Sequence, residues 1–218
     1  MANVAQATFI GGQIIIECNE DWDCCQREQA REKCRRANTQ LERARENGTP
    51  ACVRSTADTE AAKAGLYSNA LEQARENITG NPEKGPKTKS PQQQADAAKA
   101  AGAPKCVTDG LANGTVDCDN LAMDHTLEVK LGGNVWPGPG DIPLLPLDRG
   151  VNGAFGSLMK NTANAMGDGT EVEEISLVCP PNGSCPQRGY STGSVQKTFP
   201  ASAAEGDFVT TAATPDYS

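Results

Sequence analysis

Apolar residues in the first third of the chain recur at helical spacing. Ala30, Cys34, Ala37, Leu41 and Ala44 follow at alternating steps of four and three, one stripe of a helix spanning about 23–47. Gly48-Thr-Pro50 ends it. Ala64, Tyr67, Leu71, Ala74 and Ile78 make a second stripe over about 56–77, behind the start signal Ser55-Thr-Ala-Asp58. Leu41-Glu-Arg-Ala-Arg-Glu-Asn47 returns as Leu71-Glu-Gln-Ala-Arg-Glu-Asn77. Two similar amphipathic helices joined by a short Pro-containing turn predict an antiparallel hairpin, and shared Ala/Glu/Arg-rich composition is the plainer reading of the repeat.

The period changes elsewhere. Gln13 to Ile16, after Gly11-Gly12, is a short strand-like run. Gly80 to Pro91 is a linker by composition, with a short helix at about 92–101. Leu121 to Val129 predicts a strand; Gly132-Gly133 and Trp136-Pro-Gly-Pro-Gly140 make a loop, and Ile142 to Leu147 is extended. Asp148 can cap a helix to about Met166, with Val151, Phe155, Leu158 and Thr162 as its buried stripe. Gly167 to Gly169 ends it, and Glu171 to Cys179 can add a strand. The expected architecture is α+β. Residues 1–80 are a helical hairpin for delivery or interaction, 81–102 a linker with a short helix, 103–200 a second domain and 201–218 a mobile tail.

Composition narrows the class. Aromatics are 4% and Gly and Pro are plentiful, which predicts modest packed units rather than one large core. No run of eighteen apolar residues exists, and the beginning has neither a basic n-region nor an apolar h-region, so no membrane span and a signal-independent exit are expected. The net charge of −8, with no basic segment, excludes a protein that coats nucleic acid. An enzyme holding phosphate through a metal and a few local cations is still allowed. Nine cysteines, none in a Cys-x-x-Cys, disfavour a zinc ribbon and leave disulfides or buried thiols open. Cys179 and Cys185 bracket Pro-Pro-Asn-Gly-Ser and can close a small loop.

The single histidine carries the chemistry. His125 lies in Met123-Asp-His-Thr-Leu-Glu-Val-Lys-Leu-Gly-Gly133, and histidine is the default proton acceptor near neutral pH. Downstream stands Leu147-Asp-Arg-Gly-Val-Asn-Gly-Ala-Phe-Gly-Ser157, with Asn152 at the second turn of the expected helix. From Met123 to about Lys160 the chain resembles the HNH (ββα-metal, His-Me finger) nucleases that serve as toxin domains of bacterial polymorphic toxins. One departure is that the family's first Asn, nine residues before the second, falls on Pro143.

The resemblance implies a ββα-metal finger within 103–200 and a metal-dependent endonuclease, on DNA rather than RNA. His125 is then the general base, Asp124 and Asn152 hold one Mg²⁺ or Mn²⁺, and Glu128, Lys130, Arg149 and Trp136 support the loop or touch substrate. It also implies an interbacterial effector secreted without a signal peptide. Such an effector acts in the target-cell cytoplasm and is neutralised by a cognate immunity protein, with a secretion-apparatus protein or chaperone as a further partner. Two alternatives stand beside it. Asp117 or Asp119 with Glu128-Val-Lys130 spells the Asp…Glu-x-Lys of restriction-type nucleases, which needs Glu128 and Lys130 on one side of a strand. The other is a non-catalytic interaction module carrying a degenerate nuclease.

Overall fold

Gly11-Gly12 turns the chain between β1 (Ala7–Ile10) and β2 (Gln13–Glu17), antiparallel strands paired from Ala7↔Ile16 to Ile10↔Gln13. Ile14 and Ile16, two apart on β2, point to one face and are fully buried. These strands belong to a computed structural model that describes residues 6–64, 67–80, 89–134 and 144–179. β5 (Glu174–Val178) lies parallel to β2, from Gln13↔Glu174 to Glu17↔Val178. The Cys18–Cys179 disulfide continues this ladder by one step, joining positions 161 residues apart in sequence.

α1 (Cys24–Glu46) starts with a reciprocal capping box: Gln26 N donates to the Asp23 carboxylate at 2.8 Å and Asp23 N to the Gln26 side chain at 3.1 Å. The expected stripe is real, since Ala30, Cys34, Ala37 and Leu41 are buried. Arg27, Gln29 and Lys33 on the same helix are buried as well. α1 packs against β5 and, at the other end of the chain, against β4 (Leu145–Asp148) and α6 (Arg149–Met166). One apolar core therefore draws Ile14, Trp22 and Leu41 together with Leu131, Leu147 and Phe155, on both sides of the linker expected at 81–102.

The predicted helix over 56–77 is divided into α2 (Thr56–Lys63) and α3 (Tyr67–Thr79), because Ala64 turns extended at φ −60°, ψ 120°. α3 packs on α4 (Pro91–Ala100) and on β3 (Leu121–Asp124) rather than against α1 as a hairpin partner. With α5 (Lys105–Asn113) these helices bury a second cluster around Val107, Leu111 and Leu121, tied to α1 by the Cys25–Cys106 disulfide. β1 and α5 were not foreseen from the sequence. The Cys179–Cys185 loop is not formed, because Cys179 bonds Cys18; Cys24 is also in a disulfide, whereas Cys34, Cys52 and Cys118 are not.

β3 pairs with β4 antiparallel, Leu121↔Asp148 to Asp124↔Leu145, and α6 starts at the next residue. Asp148 caps α6 by accepting from Gly150 N at 2.8 Å and Val151 N at 3.3 Å. Val151, Phe155, Leu158 and Thr162 are buried along it, as their spacing predicts. The strand expected to reach Val129 stops at Asp124. Its apolar alternation instead leads into a 3-10 turn, Val129–Leu131, and buries Leu127 before the turn and Val129 and Leu131 within it. Trp136, Pro143 and the tail 201–218 lie outside the described residues.

Because β5 and α6 share their core with α1 and β2, a fragment of residues 103–200 should not fold alone. We expect its far-UV CD and amide NMR dispersion to be those of an unfolded chain; a cooperative thermal transition in the fragment would show that the 81–102 segment separates two independent cores.

Candidate functional site

Asp124 is the last residue of β3, and His125 follows it at the strand end; both are buried. Asn152 occupies the first turn of α6, and its amide end lies 3.1 and 2.9 Å from the two Asp124 carboxylate oxygens. Turned nitrogen-first, that amide donates to both oxygens. Turned oxygen-first, it would set acceptors against acceptors, which only a shared cation makes favourable. The β-pairing and the Asp148 cap bring these residues together, since both fix where α6 begins relative to the end of β3.

A cation is already present on this carboxylate. Lys33, from α1, ion-pairs with Asp124 and, at 3.0 Å, with Glu128; its ammonium also donates to the His125 carbonyl at 3.2 Å. The Lys33 side chain is 3% exposed and its Nζ lies 5.4 Å from the Phe155 ring centroid, over the ring face. Trp22 stacks nearly parallel to Phe155, with ring centroids 6.2 Å apart and planes 8° from parallel. Burial works against the lysine's charge, but Asp124 and Glu128 outweigh it and hold its pKa above the ordinary value. Burial likewise pushes the Asp124 carboxyl up, to about 7, with Lys33 pulling it down and Glu128 adding to the rise.

The same helix face grips the rest of the unit. Gln26 Nε2 donates to Asp148 at 3.0 Å, and the Gln29 side-chain oxygen accepts from Asp148 N at 2.6 Å. Gln26, Gln29 and Lys33 stand three and four apart, so one row of α1 polar groups faces the start of α6 and the end of β3. From α1's C-terminal side, Arg54 Nη1 donates to the carbonyls of Val129 and Gly133 at 2.8 and 2.7 Å and clamps the loop after His125. The Gly132-Gly133 pair closes that loop for steric reasons. Gly132 has φ +90°, and a Cβ on Gly133 would stand 1.9 Å from the Leu127 carbonyl oxygen.

The remaining expected residues are dispersed. Glu128 is half-buried beside Lys33 and precedes the 3-10 turn, so Glu128 and Lys130 do not share a strand face. Lys130 pairs with Asp168 at 3.1 Å and donates to the Arg54 carbonyl. Arg149 is exposed at the first residue of α6. A groove of about 340 Å³ runs beside Glu128, lined by Lys63, Lys130, Lys160 and Asn164. Asp117, Cys118 and Asp119 form a separate group with ligand atoms within 4.8 Å, but Asp117 accepts from Asp119 N and so caps its own turn. Lys33, Arg54, Gln26 and Gln29 were missed from sequence, where a lysine in a charge-rich helix carries no distinguishing signal.

Asp124 and Glu128 offer carboxylate oxygens of the kind magnesium and manganese accept, although Lys33 pairs with both here, and Asn152 would add an amide oxygen only on turning over, since its nitrogen faces Asp124. No family model matches this chain, and no curated protein or solved structure matches it.

A pH dependence follows from the Asp124 shift. Its folded-state pKa lies above the unfolded value of 3.8, so the stability its proton contributes is complete below about pH 4 and lost as pH rises through about 7. Urea unfolding at pH 5 to 8 should show that decline in the wild type and a flatter profile in Asp124→Asn. Parallel profiles would mean that Asp124 titrates alike folded and unfolded.

Proposed function

We propose that this protein is a metal-dependent nuclease of the toxin type, with β3, β4 and α6 as its ββα-metal finger. The observation that carries this reading is the contact of the Asn152 amide with Asp124 at the junction of β3 and α6, with His125 the next residue along, in the order strand, loop, strand, helix. Asp124 and Asn152 would hold Mg²⁺ or Mn²⁺, which when bound polarises the scissile phosphate and stabilises the departing oxygen. His125, in neutral form, takes the proton of the attacking water. Glu128 and Arg54 keep the following loop in place, and Lys160 and Lys130 line the groove where a phosphate backbone can lie. His125 is 2% exposed, so cleavage needs a form in which the cover over it is displaced.

By the same resemblance the substrate is DNA rather than RNA. The protein then acts as an interbacterial toxin inside a target cell and is held harmless in its producer by an immunity protein. A second reading is favoured by one observation, the Lys33 ammonium seated on Asp124. On that reading the finger is a degenerate scaffold within a non-catalytic interaction module. Among the described residues no helix is long and apolar enough to cross a membrane.

Plasmid nicking by the full chain separates the readings. We expect cleavage that needs Mg²⁺ or Mn²⁺, stops in EDTA, and falls by about 100-fold or more in His125→Ala, the scale of a lost general base, with smaller losses in Glu128→Ala and Lys130→Ala. Absence of nicking at any divalent-cation concentration would leave the scaffold reading, and activity that survives His125→Ala would remove histidine from the mechanism.

A further inference from the structure

We infer that Lys33 is a tethered cation that holds the Asp124–Glu128 site in place of a divalent ion, so that metal enters only by displacing it. Three observations support this. The ammonium contacts both carboxylates and the His125 carbonyl, which makes it the centre of the oxygen cluster rather than a neighbour of it. Lys33 comes from α1, 91 residues away from Asp124, and its placement is enforced by Gln26 and Gln29 on the same helix row. The charges also leave room for a stronger occupant. With Asp124 and Glu128 both ionised, two carboxylates against one ammonium leave one negative charge, whereas a divalent ion in its place would balance both.

A way out for the lysine exists on the Glu128 side. Glu128 is 21% exposed and borders the groove that holds Lys63, Lys130 and Lys160, so a lysine released from Asp124 can follow its second partner toward solvent. While Lys33 is in place, the metal-competent fraction of the protein is small, and apparent metal affinity is reduced by that fraction. α1 thus acts as a latch on the site. The inference rests on the proposed metal site but not on cleavage.

The test is calorimetric titration of the full chain with Mn²⁺ alone, alongside thermal unfolding with and without Mn²⁺. Lys33→Met should bind one ion about tenfold or more tightly than the wild type, the factor expected if the lysine is in place about nine times in ten. Adding Asp124→Asn to that variant should abolish the gain, and Lys33→Arg should bind no better than the wild type. Should Lys33→Met be unfolded in chelator, Mn²⁺ should restore its far-UV CD, and failure to do so overturns the inference. So does equal Mn²⁺ affinity in wild type and Lys33→Met, even where both cleave DNA, an outcome that would leave the nuclease reading intact. Tight binding by Lys33→Met with no nicking by either protein supports the latch and removes the nuclease.

Discussion

The buried contact of Lys33 with Asp124 is the constraint around which the rest is arranged. An ammonium and a carboxylate taken out of water are each costly, and they are tolerated only where every remaining donor and acceptor is met. Here Glu128, the His125 carbonyl and the Asn152 amide supply those partners. Meeting them fixes three separate pieces of chain at once: the middle of α1, the end of β3 and the first turn of α6. The Phe155 ring under the ammonium, with Trp22 stacked on it, joins this polar knot to the apolar core.

That knot explains why the molecule is not built as two successive modules. β5 returns to β2 in parallel, Cys179 bonds Cys18, and the polar row of α1 is spent on the β3–β4–α6 unit. A helix whose exposed face would ordinarily carry solvated charge is instead central. The segment that sequence alone assigns to delivery or interaction supplies Lys33 to the cluster around Asp124.

Some of this was legible in the sequence. The stripe Ala30, Cys34, Ala37, Leu41 and the stripe Val151, Phe155, Leu158, Thr162 each marked a buried helix face, because a 3.6-residue period reports burial directly. The glycine pair at 132–133 marked a loop that only glycine can close. Asp148 marked the start of α6. Leu121 to Val129 misled, since apolar residues in alternation also suit a turn that tucks Leu127, Val129 and Leu131 inward. The Leu-Glu-x-Ala-Arg-Glu-Asn repeat misled because similar helices need not be partners. Lys33 could not be found at all: long-range pairing leaves no local periodicity, and its neighbours Arg35 and Arg36 bind Glu32 at ordinary helical spacing.

The central claim is that Lys33 and Asp124 are energetically one unit, and a double-mutant cycle measures this most directly. At pH 8, Lys33→Met should destabilise the protein by about 3 kcal/mol, the cost of leaving a buried carboxylate unpaired, and Asp124→Asn by less, because a neutral amide escapes the burial penalty that raises the Asp124 pKa. The double variant should lose less than their sum, by on the order of 1–3 kcal/mol. Additive losses in urea unfolding at one pH would contradict the account, because they would mean that the two groups are buried side by side without depending on each other.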